Sequence, residues 1–580
     1  MAVSDTPAAP HGGLAARLWR MGMGRPVWIA LLVLVLLFLM VYPLGMLVYG
    51  SLHEGSPGTG GAFSLAGYAK ALSADNAIVL VNTVALSLTK VVPSVAVALA
   101  LAWIIARTDT PMRGLLEILI TLPFFVPPIL TAMAWALLGN AHTGPINMFW
   151  RSLTGSSQPL VDVYSFGGVV WHMAQYSVSF AFLILVEAFR RMDNSLEEAS
   201  RMCGASRWRT FRSITLRLLL PVIVTCSVIS FIRGMESLES PLFFGTPAGI
   251  RVAVTEIYNT INEDFVPDYQ YATAFSMIII GLMFLVLLVQ WKLIGNASSY
   301  QTVSGKGFRP GVIRLGRWRW LTFGFCLLFF FITVVLPVGQ LIVGSVFRYI
   351  GFYTWESLTL RHYTSVLTND AIRSAARNTF ALGFFGASGA MVLGSLVAYV
   401  SVRTRWKGRR VIDLMAWLPW IMPGIVLGVG YLWAFAYIPG PVTIYGTLWA
   451  LLLPYVALCT PLANNTMSTA FYQLSVDLEE ASRVHGANFI QTMSRILVAL
   501  AWPSFAIGWV LCFFGLMREL SVSILLYSVG TEVLSVEMLK LWSSGKAEEV
   551  CVIGLFMILL VILFRVVQIL LARRIAPALK

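Results

Sequence analysis

One polar phrase occurs twice in this chain. "NSLEEASRMCGAS" runs from Asn194 to Ser206, and "SVDLEEASRVHGAN" runs from Ser475 to Asn488. Each opens on two adjacent carboxylates, Glu197 and Glu198 or Glu479 and Glu480, and closes on Gly204 or Gly486. Carboxylates suit the first turn of a helix, where the backbone dipole favours negative charge. Ser195 has capping-box spacing to Glu198, and Asp477 with Glu480 is the acidic equivalent. A glycine about two turns later marks a helix end that needs positive φ. The spacing therefore predicts a short helix in each copy, too short to be stable alone in water, which must dock on something. Loops vary faster than the elements they join, so a phrase kept in two places implies a shared constraint. Two like docking sites imply a partner with two-fold symmetry.

The other chemically capable residues are sparse. Glu236, Glu239 and Glu519 follow long apolar runs, and carboxylates at an outer mouth would suit a hard, oxygen-loving cation. Arg233 and Arg518 stand beside them, so ion pairs at the helix ends are the plainer expectation. Lys90 lies in the middle of an apolar run, where a lone lysine costs about 2.5–3.5 kcal/mol to insert. It is read as a candidate for the pathway, against snorkelling or facing a polar cavity. The six cysteines show no paired spacing, which indicates neither a disulfide framework nor a metal knuckle. No His or Tyr cluster suggests a metal site, and no catalytic constellation is present. A phosphate-cradling G-x-x-x-x-G-K-[ST] loop is missing: Gly305-Lys306 and Gly545-Lys546 lack the upstream glycine and the hydroxyl residue. A machine driven by ATP would have to take it from another polypeptide.

The elements that position these residues are set by composition. Of 580 residues 58% are hydrophobic and 12% charged, with a mean hydropathy of +0.78. Apolar blocks long enough to cross about 30 Å of hydrocarbon as helices begin at Val27–Gly50. They recur near 80–106, 114–139, 166–188, 214–235, 271–294, 319–345, 378–402, 412–438, 446–472, 496–516 and 550–572. The fold class is an all-α polytopic membrane protein of about twelve transmembrane helices. The first block is too long for a signal peptide and lacks a small-x-small cleavage site, so it reads as a retained helix. The net charge of +14 is no nucleic-acid footprint, because Lys and Arg bracket alternate helices, as at Arg190–Arg212, Lys306–Arg319 and Arg403–Arg410. The stretch 255–268 carries four carboxylates and no base. The positive-inside rule then places both termini and every basic loop in the cytoplasm.

The chain also repeats itself on a larger scale. "NTVALSLTK" at Asn82 resembles "NTFALGFFG" at Asn378, and the offset of 296 carries Arg107 onto Arg403, Pro123 onto Pro419 and Pro127 onto Pro423. Ser195–Pro221 aligns with Asp477–Pro503 without a gap, 12 of 27 positions being identical. The reading is a tail (1–26), a first six-helix half (27–294), a Gly/Ser-rich basic linker (295–318) and a second half (319–580). Six helices per half make the two halves parallel repeats, with a solute path between them. The paired prolines should bend or break their helices. Gly424 and Gly428 should let a neighbour pack closely.

These residues resemble a known family. E-E-A-S-x-x-x-x-G-A followed by a distal proline resembles the EAA loop of permease subunits of binding-protein-dependent ABC importers, the MetI-like fold typified by methionine and maltose permeases. The loops would be about 190–217 and 474–499. The resemblance implies that Glu197, Glu198, Ala199 and Gly204, with Glu479, Glu480, Ala481 and Gly486, form two ATPase-coupling helices. Ser200 and Ser482 stand where the family usually has a small residue, while Pro221 and Pro503 are kept. The partners implied are two copies of a cytoplasmic ABC ATPase, which would bind ATP and Mg, a periplasmic or lipid-anchored solute-binding protein, and the lipid bilayer. The location implied is the bacterial inner membrane. Fused pairs of this length resemble ferric-iron permeases, with thiamine and 2-aminoethylphosphonate permeases as near relatives; "LPFFVPPILTAMAWALLG" and "RGMESLESPLFFG" look most like the iron branch. The rival class is a twelve-helix secondary transporter, which would have no obvious use for the duplicated phrase.

Overall fold

The computed structural model describes residues 24–193, 195–294, 311–438, 443–487 and 489–575. All but the last three residues of the expected tail 1–26, and residues 295–310 of the expected linker, lie outside these. Eighteen helices carry the fold. Those of the first half are α1 (Gly24–Leu36), α2 (Tyr42–Leu52), α3 (Ala74–Arg107), α4 (Arg113–Phe125), α5 (Pro128–Leu138), α6 (Phe166–Arg191), α7 (Ser195–Met202), α8 (Leu216–Met235) and α9 (Tyr269–Ile294). The second half repeats them in order as α10 (Arg319–Phe330), α11 (Leu336–Val346), α12 (Asp370–Arg403), α13 (Arg409–Trp417), α14 (Gly424–Ala436), α15 (Trp449–Gln473), α16 (Asp477–Val484), α17 (Val498–Met517) and α18 (Ala547–Ile575). Each helix thus has its counterpart nine labels later.

Every one of the twelve apolar blocks is helical, but not every block is one straight span. Among the described residues eight helices are long and apolar enough to cross a membrane, or up to ten if each of two bent pairs counts as one. The remaining two blocks are α15 and α18. The second half of α15 is polar, with Asn464, Asn465, Thr466, Ser468 and Thr469. The side chains of α18 are described only as far as residue 563. The bent pairs are the proline blocks: α4 and α5 meet at 92°, and the Arg409–Ile421 run meets α14 at 111°. Pro127 and Pro423 sit at the two breaks, where they supply no backbone donor.

Each half is built on a tight three-helix core, α3 with α6 and α8, and α12 with α15 and α17. Small residues allow the close approach: a Cβ on Gly394 of α12 would come within 2.5 Å of the Ala463 Cβ on α15. Gly424 and Gly428 of α14 behave likewise, facing Ser521 and Leu525. The first helices cross over, α2 packing on α14 of the second half and α11 on α5 of the first. Both carry a five-residue π-turn ahead of a proline, Leu37–Val41 before Pro43 and Phe331–Val335 before Pro337, matched at an offset of 294. Pro43 has no N–H for the Leu39 carbonyl, and Tyr431 of α14 donates its hydroxyl there at 2.7 Å. One consequence of helix breaking is therefore satisfied across the boundary between halves.

Candidate functional site: paired docking helices and the seam

Both polar phrases fold as the spacing predicts, into eight-residue helices α7 and α16. Their C-terminal ends close alike. Gly204 and Gly486 have φ of +83° and +79°. Ala205 N donates to Ser200 O, and Ala487 N to Ser482 O, each at 3.1 Å. In the first copy Gly204 N also donates to Arg201 O at 3.0 Å, completing a Schellman motif. Valine at either glycine would be strained by about 1–2 kcal/mol, since a left-handed residue brings Cβ against the following carbonyl. Gly204→Val and Gly486→Val should each speed proteolysis within its own loop, read as the cleavage rate in membranes.

The N-terminal ends differ from the capping-box expectation. α7 starts at Ser195, so this residue lies inside the helix; its hydroxyl donates to Asp193 Oδ2 at 2.9 Å and its N–H to Asp193 Oδ1 at 3.0 Å. α16 starts at Asp477, whose N–H is received by Ser475 Oγ at 3.2 Å, while the N–H groups of Glu479 and Glu480 turn to the Val476 carbonyl. The carboxylates that looked like capping groups are thereby freed for other contacts.

Within each acidic pair the two members divide. Glu197 Oε1 accepts from Thr215 Oγ1 at 2.6 Å and lies 3.9 Å from Arg107 Nη2, both side chains being largely enclosed. Glu479 Oε1 lies 3.6 Å from Arg403 Nε, with only 6% and 4% of the two side chains accessible. Arg107 also donates to Met192 O at 3.2 Å, and Arg403 to Phe471 O and Leu474 O at 2.8 and 2.7 Å. So one arginine at the end of α3, and its repeat at the end of α12, fastens α7 and α16 to the long core helices. Glu198 and Glu480 instead face outward, as do Ala199 and Ala481. Met202 and Val484, at matched positions, are 89% and 85% exposed. The two serines that depart from the family pattern make matched bonds, Ser200 Oγ to Thr210 Oγ1 at 3.1 Å and Ser482 Oγ to Thr492 Oγ1 at 2.8 Å. Each helix is thus pinned on one face, with an acidic and apolar face left open.

The sequence placed Arg107 and Arg403 in register but suggested only topology for them. Their role depends on groups 68 to 90 positions away, which no local spacing announces. Met202 and Val484 could have been found as the apolar residues that close two short helices rich in polar groups.

The remaining candidates lie toward the seam between the halves. Arg233 Nη1 donates to Glu236 Oε2 at 2.9 Å, the expected pair at a helix end. Arg518 behaves otherwise: among the described residues it makes no ion pair with Glu519. Its guanidinium crosses to the first half, donating to Phe124 O at 2.6 Å and to the Tyr176 hydroxyl at 2.9 Å. It also lies over both rings, at 5.3 and 5.4 Å. Glu519 Oε1 accepts from Val522 N at 2.9 Å, and Glu239 lies within electrostatic reach of Arg518 and Glu519. Lys90 is enclosed in the first-half core, 2% exposed, its Nζ donating to Ser177 Oγ at 2.8 Å. Among the described residues no three His, Cys, Asp or Glu side chains gather closely enough to hold a metal ion.

Known proteins resemble this chain in sequence. Residues 94–294 and 390–580 each match the family described as "Binding-protein-dependent transport system inner membrane component". The chain is 26% identical to the "Ferric transport system permease protein FbpB" of Actinobacillus pleuropneumoniae, over 73% of this chain and 61% of that protein. It is 27% identical to the "Putative ferric transport system permease protein FbpB 1" of Haemophilus influenzae, over 87% of this chain and 78% of that one. A 41% portion of the chain is 26% identical to 89% of the "Spermidine/putrescine transport system permease protein PotC" of Escherichia coli K12.

Proposed function

The chain belongs to the family of binding-protein-dependent transport system inner membrane components, and on that premise we propose that it forms the solute pathway of a ferric-iron importer. It is a permease of the ABC importer class, a transport subunit. The ferric assignment is supported by the names of the two FbpB relatives, which align over most of the chain. The coupling assignment is supported by one observation above all: two matched helices, each fastened inward by an arginine–glutamate contact and each presenting an unpartnered face.

In this reading Glu198, Ala199 and Gly204, with Glu480, Ala481 and Gly486, dock two cytoplasmic ATPase subunits. The enclosed Glu197 and Glu479 pass their movement through Arg107 and Arg403 to α3 and α12. The basic-loop end faces the cytoplasm, by the positive-inside rule, and a binding protein delivers solute to the opposite face. ATP and Mg are held by the ATPase. Glu236, Glu239 and Glu519 border the path at the seam, where carboxylate oxygens suit a hard cation, and Lys90 lies behind it.

The test is uptake of radiolabelled ferric iron under iron limitation. It compares wild type, a deletion strain, and Glu198→Ala/Glu480→Ala with membrane expression matched. Uptake is expected to fall by at least about tenfold in both altered strains, equivalent to 1.4 kcal/mol of lost coupling. A fall in the deletion alone would sink the coupling assignment for Glu198 and Glu480 and place the ATPase contact on other residues. No fall in either would remove iron as the solute, leaving thiamine, a phosphonate or a polyamine to be assayed next.

A further inference from the structure

The two halves differ at the foot of their long core helices. In the first half, residues 313–315 close on it: Ile313 N donates to Arg107 O at 2.7 Å, Asp109 N to Ile313 O at 3.2 Å, and Leu315 N to Asp109 Oδ1 at 2.8 Å. In the second half the repeats of Arg107, Thr108 and Asp109, at the offset of 296, are Arg403, Thr404 and Arg405. These three line a cavity of about 1290 Å³ between α1 and α12. The acceptor Asp109 is thus exchanged for the donor Arg405, so a ligand that satisfies this place must bring oxygen rather than N–H.

The cavity is apolar along one side and basic at one end. Its wall on the first helix runs from Trp28 through Val33 and Leu34 to Leu37. Nine residues of helix rise about 14 Å, close to the depth of one leaflet of a ~30 Å hydrocarbon core. Leu34 and Leu37 are 64% and 44% exposed. The Trp28 and Tyr399 rings, 6.3 Å apart, mark the end at which α12 passes into its basic loop. There Arg405 and Arg409 flank Trp406, a residue type that suits the boundary between hydrocarbon and water. Arg409 Nη1 donates to Thr404 O at 3.1 Å, and among the described residues Arg405 makes no hydrogen bond or ion pair. Three arginines and two glutamates line the cavity, a net of one positive charge, and Arg403 already faces Glu479 at 3.6 Å.

We infer that this cavity binds one anionic phospholipid, its phosphate between Arg405 and Arg409 and an acyl chain along Val33, Leu34 and Leu37. Guanidinium groups match phosphate oxygens in geometry and charge, and basic pockets between membrane helices suit anionic headgroups. A singly charged phosphate cancels the net charge of the lining, and the chain covers an apolar wall one leaflet deep. The site borders Arg403 and Glu480, so the lipid becomes part of the surroundings that hold α16. The inference goes beyond the transport assignment: it needs only that the chain spans a membrane, whichever solute is carried.

Native mass spectrometry of the full chain in detergent tests it, with phosphatidylglycerol and phosphatidylcholine added at equal concentrations. A surface arginine favours an anionic headgroup by about fivefold, so the first phosphatidylglycerol should bind about tenfold tighter than the first phosphatidylcholine. Arg405→Ala should weaken phosphatidylglycerol by about fivefold and leave phosphatidylcholine unchanged. Arg314→Ala removes an exposed arginine beside the foot of the first half and should change neither. Equal binding of the two lipids, or equal loss from both variants, overturns the inference. Phosphatidylglycerol with a photoreactive acyl chain gives the location: labelled peptides should fall several-fold more often on residues 28–37 than on 322–331, their repeat at the offset of 294. Even labelling of the two stretches overturns it. So does displacement by inorganic phosphate, which would assign the arginines to a free anion. Binding that arises only once residues 1–22 are deleted would give the cavity to the chain's own tail, and overturns it too.

Discussion

Replacing Met202 and Val484 together with glutamate is expected to strip the ATPase from the purified complex while the chain itself stays folded. Both side chains are exposed and unpacked in the isolated chain, at 89% and 85%, so the substitution removes no internal contact. In a docked complex they would be the most exposed apolar side chains of their helices, ahead of Leu196 and Leu478 at 44% and 40%. Enclosing an unpartnered carboxylate in an interface costs about 2–5 kcal/mol at each site. Two sites acting on one assembly should therefore lower ATPase co-purification by more than about a hundredfold. Phe265→Glu makes the same kind of change between the Glu256-containing helix and α9, at the end of the molecule away from α7, where the side chain is likewise fully exposed. It should leave co-purification unchanged. Equal loss from both variants would mean a general defect in assembly, and no loss from the double variant would place the ATPase contact elsewhere.

Much of this was legible in the sequence because it is local. Apolar runs of membrane-spanning length announced twelve helical blocks, and the repeated phrase announced α7 and α16 with glycines at their ends. The proline pairs announced breaks, though not right-angle ones: a missing donor frees a carbonyl, while the new direction of the chain is decided by what packs beyond it. The capping expectation erred by a residue or two because Asp193 and Ser475 lie just ahead of the helices and compete for the same backbone and hydroxyl donors. The least legible features join groups far apart in the chain. Arg107 reads as one of many positive-inside residues until Glu197 and Met192 are seen around it. Arg518 reads as the natural partner of its neighbour Glu519, yet it turns to a different half of the molecule.

That turn leads to the second large effect, at the break between α4 and α5. In an uninterrupted helix the carbonyl of Phe124 would receive the N–H of residue 128, but that residue is Pro128 and has none. Arg518 supplies the missing donor from the second half, at 2.6 Å, and its second nitrogen reaches the Tyr176 hydroxyl. A guanidinium can serve both acceptors at once and lie over the two rings; an ammonium is a point donor that serves one well. Arg518→Ala strands a carbonyl inside the protein, which costs about 1–3 kcal/mol, and it removes a bond that joins the halves. Phe125 and Phe514, whose rings are 6.5 Å apart across the seam, offer the readout. A Phe125→Cys/Phe514→Cys pair should cross-link several-fold more slowly when Arg518→Ala is added, and Arg518→Lys should fall between. If the seam were held by general packing alone, all three would cross-link alike. The counterpart position in the first half is Glu236, which is tied locally to Arg233 and among the described residues makes no hydrogen bond or ion pair across the seam. The two halves therefore share the matched helices α7 and α16 and their arginine–glutamate contacts but not this seam contact, so the repeat's symmetry holds at those helices and is broken where the halves meet.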